Sequence, residues 1–407
     1  MPSMSVHSNH FNNNKYTQTF GLGFPWMLIQ CWADEMFVVF IESRHSTTGN
    51  ITMDNPIVSR GHCDDDKEIA EANCHTQTRS LHSDSCSHLY GAHETQVLEN
   101  GEVDLKTYLN NCKKNPGHTN FISLDQFNIT HLPEGFNDED LYRFTRALAD
   151  LTVRVSVQMI SPLRPQFLPG TSVPYPFCNQ GGVTSLRTGT GVMSSVEKYS
   201  SGLRSDRCWH WKNATHCWCK DCQRSSSPSN VWWEIVVETA AHVVYNDTEA
   251  SHTSLRLFYD TDKSLVVTLD TVTALFVNVE RDTCALNCAT CNKDLGDQLE
   301  KVKKTFFNLL SDVYIKYRKS RDENKLAIIV SHPHGCPKQV SIGHWLKKHL
   351  DNNKEYLKFT YTASTCPGSS GAIVYCVGYG SWWRYHLIHS GTKGREENYS
   401  GMSSVSI

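Results

Sequence analysis

At 407 residues the chain is long enough for two or three domains, and 39% hydrophobic with 20% charged residues is ordinary for a protein that buries a core. The formal net charge of −3 gives no electrostatic drive toward nucleic acid or an anionic membrane, so neither is expected as a partner. Sixteen cysteines admit disulfides, metal sites or free thiols. Residues 1–19 are polar and lack the basic start and apolar core of a secretory leader. The apolar run 20–41 is broken by Asp34 and Glu35, which argues against a membrane span. The compartment stays open, with a lean to the cytoplasm. Most of residues 1–136 shows no clear period. His62-Cys63, Cys74-His75 and Cys86-Ser-His88 match no standard zinc spacing there, so the segment is expected to be an N-terminal region of poorly defined fold.

Asn137 with Asp138, Glu139 and Asp140 predicts a capped helix start, and Leu141, Phe144, Leu148 and Leu151 follow at helical spacing. The period changes from 3.6 to 2 in Leu151–Val157, which predicts a half-buried strand, and the main domain, 137–407, is placed from here on. Short strands and turns follow. A proline-rich loop spans Pro162 to Pro176, and Leu186–Met193 reads as a glycine-kinked strand. An insertion at about 194–230 holds Cys208, Cys217, Cys219 and Cys222. Strands are expected at about 231–244, 255–259, 265–269 and 274–279, giving a first β-rich half at about 150–293. An amphipathic connector helix is expected at about 294–320, from Leu295, Leu299, Val302, Phe306, Leu310, Val313 and Tyr317. A second β-rich half at 321–407 has strands at about 326–330, 359–362, 372–377 and 385–389. The fold class is therefore mostly β, two halves joined by a helix, with no internal sequence repeat.

The candidate chemistry centres on Gly368-Ser369-Ser370-Gly371. A serine on a tight glycine turn exposes its hydroxyl, and the Gly368 and Ser370 amides can converge on one oxyanion. Among twenty histidines, His242 in Thr239-Ala-Ala-His242 ends a strand after small residues. Asp282 follows a strand, where a carboxylate can be partly buried beside an imidazole. These are the parts of a nucleophile–base–orienter set. Each alone is equally a structural feature: a Gly/Ser turn, a strand-end histidine, a turn aspartate.

Together the motifs resemble those of chymotrypsin-like serine proteases. The order is His242, Asp282, Ser370, with 40 residues between the first two and 88 between the last two. Thr239-Ala-Ala-His242 is the family's histidine motif. Asp282-Thr-Cys-Ala-Leu is similar to its aspartate motif with one extra residue. Ser364-Thr-Cys-Pro-Gly-Ser-Ser370-Gly is similar to its serine motif, and His389-Ser390-Gly391 to its substrate-pairing strand. The resemblance covers about 150–407. It implies a double β-barrel, a catalytic triad of His242, Asp282 and Ser370, an oxyanion hole of Gly368 and Ser370 amides, a polypeptide substrate and no cofactor. Ser369 stands where the family usually has an aspartate, which implies that activation through a freed N-terminus is absent. Ser364 is not an acid, so Lys or Arg specificity is not implied. The substrate pocket would comprise Ser364, Thr365, His389, Ser390 and Gly391, and the Thr365–His389 combination is similar to that of relatives that cleave after Glu or Gln. The alternative is a catalytically inactive, protease-like binding or regulatory protein with zinc-stabilised cysteine-rich loops. Cys208, Cys217, Cys219 and Cys222 are the weak metal candidates, with Cys284, Cys288 and Cys291 as a further cluster, and no metal is assigned.

Overall fold

The computed structural model describes residues 17–18, 27–32, 35–40, 92–200, 203–204, 215–351, 356–380 and 387–404. The chain divides into two units, 1–80 with 206–211, and 81–205 with 212–407. In the first, Thr17–Gln18, Met27–Trp32 and Glu35–Phe40 form an antiparallel sheet in that order. The interrupted apolar run is thus an antiparallel pair, with Trp32 opposite Glu35. The His–Cys pairs around Cys63, Cys74 and Cys86, and also Cys208, lie outside the described residues.

Two long helices and two rolled sheets make up most of the second unit. Asp138 caps the first helix, Glu139–Leu151, by accepting from the Asp140 amide, one residue later than the sequence pattern suggests. Its Leu141, Phe144, Leu148 and Leu151 are buried as expected. Asn292 caps the connector helix Lys293–Tyr317 through the Leu295 amide (3.0 Å). The two helices pack together, with Phe144 and Phe306 ring centres 5.3 Å apart.

Six strands make the first half: Thr152–Met159, Thr184–Ser200, Val231–Thr239, Thr253–Leu257, Val272–Asn278 and Thr283–Thr290, with Val267–Leu269 added beside the fourth. Six make the second: Leu326–Ser331, Gln339–Leu350, Tyr356–Tyr361, Val374–Cys376, His389–Thr392 and Asn398–Ser400. Numbered along the chain, both halves have the spatial order fourth, first, second, third, sixth, fifth. The first four places of that order are a Greek key. In the second half an Ile373–Ile388 bridge joins the fourth and fifth strands and closes the roll. This mostly β arrangement of two like-ordered barrels is the chymotrypsin-like double barrel. The repeat exists in pairing order, where a sequence comparison does not see it.

The strand Thr152–Met159 differs from its expected half-buried form. Val153, Val155 and Val157 enter the core, but Thr152, Arg154 and Ser156 are buried too. Their face is covered from the chain's N-terminal side, where Glu102 takes a two-pronged ion pair from the Arg154 guanidinium (3.0 and 2.8 Å). The region 92–131 as a whole is woven into the barrels. Ala92–His93 pairs with His389–Thr392, Val97–Leu98 with Leu186–Arg187, and Phe121–Ser123 with Gln339–Ser341. The strand Thr184–Ser200 continues through Ser194 and pairs with Val231–Thr239, so the insertion begins after Ser200. Within this strand, a Cβ on Gly189 would come within 2.6 Å of Val243 and 3.1 Å of the Ser370 carbonyl, so only glycine lets the first barrel reach the second there.

Candidate active site

The strand Val231–Thr239 delivers His242. Thr239 donates its hydroxyl to the Thr190 carbonyl, and Ala240 and Ala241 are small enough to be fully buried in the turn that follows. The His242 carbonyl accepts from Arg164, which is locked in turn by two bonds to Glu249 (both 2.7 Å). Asp282 sits between two strands in the left-handed backbone region (φ 55°). One oxygen accepts from the His242 amide (2.9 Å), and the other is 2.8 Å from Nδ1. Ser390 donates its hydroxyl to the same carboxylate. Burial alone would push the Asp282 carboxyl up, but the charges of His242 and His93 and these hydrogen bonds outweigh it and lower its pKa to about 2. An ionised Asp282 holds the Nδ1–H tautomer and leaves Nε2 free to take a proton.

Ser370 occupies its predicted turn, and both barrels fix it. Thr190 of the first barrel donates its amide to the Ser370 carbonyl (2.8 Å) and its hydroxyl to the Gly368 carbonyl (2.7 Å). Gly368 has φ 96°, and a Cβ there would lie 2.5 Å from the His332 carbonyl. The Pro367 carbonyl accepts from His334 N, which turns the Gly368 N–H of that planar peptide to the opposite side. Ser369, where an acid was absent from the pattern, bonds Ser331 Oγ and the Cys366 amide.

His242 and Asp282 are therefore brought together, while Ser370 does not bond the histidine. Its hydroxyl donates to the Glu94 carbonyl (3.2 Å), and among the described residues His242 Nε2 has no hydrogen-bond partner.

The pocket residues Thr365 and His389 meet around the Glu94 side chain. Thr365 donates to its carboxylate (2.6 Å), and His389 Nε2 lies 2.7 Å from it. Tyr361 Oη lies 2.6 Å from His389 Nδ1. Burial lowers the His389 pKa, against the raising effect of Glu94, and burial raises that of Tyr361. The cation is Lys114, 2.6 Å from Glu94 and also bonded to Thr365 and Asn398. Against the effect of burial, His389 and Lys114 lower the Glu94 pKa to about 2. Besides the hydroxyl bond of Ser390 to Asp282, the Ser390 carbonyl accepts from His93 Nδ1 (2.9 Å), and Gly391 pairs with His93. The Ser364 carbonyl accepts the Ser341 hydroxyl. Sequence reasoning missed Lys114, Asn398 and Thr190. None sits in a recognisable motif, and Lys114 joins Thr365 only across 251 residues.

Two cysteine clusters have ligand geometry. Cys217, Cys219 and Cys222 converge with Cys291, the outlying member of the other cluster, and Cys219 and Cys291 sulfurs are 3.7 Å apart. Zinc–sulfur bonds of about 2.3 Å place tetrahedral sulfurs about 3.8 Å apart, so this set fits a structural zinc. Cys284 and Cys288 do not join it; each is buried in the first barrel. The second cluster is Cys112, His118, His334 and Cys366.

No family model and no curated protein matches this chain. Similar solved structures include the HtrA-type protease AlgW with tripeptide, at TM-score 0.31 and 11% identity, covering 64% of this chain and 58% of that one. The active form of the Rv3671c protease from M. tuberculosis gives TM-score 0.30 and 11% identity, covering 65% and 82%. The chain thus spans less than two thirds of AlgW. Among the described residues, no helix is long and apolar enough to cross a membrane.

Proposed function

We propose that this chain is a serine-type endopeptidase that cleaves polypeptides after Glu through an acyl-enzyme. The observation that carries the reading is the Asp282–His242 pair, with the Glu94 carbonyl at the Ser370 hydroxyl and the Glu94 carboxylate paired with Lys114. Ser370 attacks the scissile carbonyl, and His242 Nε2 takes the hydroxyl proton and passes it to the leaving amine. Asp282 stabilises the imidazolium, and the Gly368 and Ser370 amides receive the oxyanion. Thr365 and His389 fit the side-chain oxygens of either Glu or Gln. Lys114 supplies a cation and favours Glu. The domain is read as the two barrels with their connector helix.

Labelling by a serine-reactive fluorophosphonate tests this, with the wild type and with Glu94→Lys, which empties the pocket of its own occupant. Labelling that vanishes in Ser370→Ala and His242→Ala supports the enzyme. No labelling of either folded protein sinks it and leaves the non-catalytic binding protein.

A further inference from the structure

We infer that the chain is its own first substrate and cuts the Glu94–Thr95 bond; this rests on the peptidase reading above. The segment 92–98 lies across the site as a substrate would. Ala92 and His93 extend the second barrel as an antiparallel strand against Thr392 and Gly391. Glu94 is buried in the acid pocket, and its carbonyl oxygen is the group facing Ser370 Oγ. The His93 ring stacks on His242, with centres 4.2 Å apart, and covers the catalytic imidazole. Past the bond, Gln96 is held by His334 (2.7 Å) and Val97–Leu98 pairs with the first barrel. Both sides of one peptide bond are thus anchored, which is the positioning that makes an intramolecular reaction fast.

The reaction balances with water as the only co-reactant. Ser370 Oγ bonds to the Glu94 carbonyl carbon, and its proton passes through His242 to the Thr95 nitrogen as the Glu94–Thr95 bond breaks. Water then cleaves the Glu94–Ser370 ester, leaving a Glu94 carboxylate, a Thr95 amine and the free serine. The cut separates residues 1–94 from the barrels and opens the cleft to other chains.

The test uses full-length protein, followed by intact mass and N-terminal sequencing. A fragment beginning at Thr95, formed at a rate independent of protein concentration and absent in Ser370→Ala, is expected. Glu94→Lys should slow the cut at least a hundredfold while keeping fluorophosphonate labelling. Protein that labels but stays whole, or is cut elsewhere, overturns self-cleavage and leaves the peptidase standing. Protein that neither labels nor cuts, with Glu94→Lys equally inert, fails the peptidase reading itself.

A different set of contacts assigns a metal site to Cys112, His118, His334 and Cys366. Their ligand atoms all lie within 4.8 Å of one another, with Cys112 and Cys366 sulfurs 3.5 Å apart and His118 Nε2 3.4 Å from Cys366. His334 is oriented through Nδ1 by Gln96, and its buried Nε2 has no hydrogen-bond partner among the described residues. Asn115 donates its amide to Cys112 and its side chain to Cys366, as second-sphere groups do for bound thiolates. Two thiols and two imidazoles suit tetrahedral zinc. A zinc there would pin the Lys114 loop to the loop that carries Ser370. Metal analysis of the purified full chain should find one zinc fewer per chain in Cys112→Ser and in His118→Ala than in the wild type. Unchanged content, or a Cys112–Cys366 disulfide with no metal, overturns it.

Discussion

Replacing Lys114 by Met tests the proposed selection of Glu by this charge. In the occupied pocket the Glu94 carboxylate keeps Thr365 and His389 as partners but loses the Lys114 ammonium. Both partners are mostly shielded, with side-chain exposures of 13% and 4%. Removing one member of a buried ion pair costs about 3–5 kcal/mol. The two remaining partners argue for the lower end, about 3 kcal/mol, or roughly a hundredfold in kcat/KM. A Gln side chain carries no charge to strand, so its cleavage should change by no more than about threefold. The assay is kcat/KM of the full-length protein on two quenched peptides that differ only in Glu or Gln before the cut. Occupancy of the cleft by residues 92–98 lowers both rates together, so their ratio is the readout. Lys114→Arg should restore much of the Glu preference. A Glu-to-Gln ratio unchanged in Lys114→Met refutes the role of this charge.

Three further outcomes follow from the site's supports. Asp282 has a depressed folded pKa, so its stabilisation is complete above the ordinary value of 3.8 and is lost as pH falls through about 2. The shift corresponds to about 2 kcal/mol, and urea midpoints between pH 6 and pH 3 should fall more in the wild type than in Asp282→Asn; parallel curves contradict the argument. Glu249→Gln strips the charge from a buried carboxylate that accepts from Arg164, Arg187 and two backbone amides, and should destabilise by about 3–5 kcal/mol in equilibrium unfolding. A loss under about 1 kcal/mol would mean the two guanidiniums find other partners. Cys291→Ser should remove one zinc per chain and lower the melting temperature; full metal content would exclude the four-cysteine site.

The parts of the fold that were legible are those set by neighbours in sequence. Asn292 and the apolar spacing up to Tyr317 mark the connector helix because capping and amphipathic burial act over one to a few turns. The alternation in Leu151–Val157 marked a strand correctly, but not that Arg154 and its polar face would be covered, since Glu102 comes from another part of the chain. Thr239-Ala-Ala-His242 and the Ser370 turn were legible because a tight turn restricts side-chain size locally. The expected strand at 385–389 is described only from residue 387 on, with the strand itself at His389–Thr392.

What remained hidden depends on distant pairing. Residues 92–98 are short and mostly polar, and no local preference would make them strands. Ala92–His93 becomes one because the barrel edge at His389–Thr392 has open backbone groups to satisfy, and an edge of that kind accepts any chain that can lie extended against it. The edge does not choose its register, since backbone pairing is blind to side chains. Shifted by one residue, the segment would lose the Glu94 ion pair and turn His93 away from the His242 ring. Register is therefore fixed by the pocket, and the pocket's residues come from Lys114, Thr365, His389 and Asn398, which only the closed fold assembles. The contacts proposed to select a substrate thus also place the chain's own Glu94 before Ser370, which gives the proposed specificity and self-cleavage one structural origin. Glu94→Gln separates register from charge: the shape is kept and Lys114 is stranded. The cut at position 94 should persist but slow, and a cut relocated to another residue would show that the pocket does not set the register.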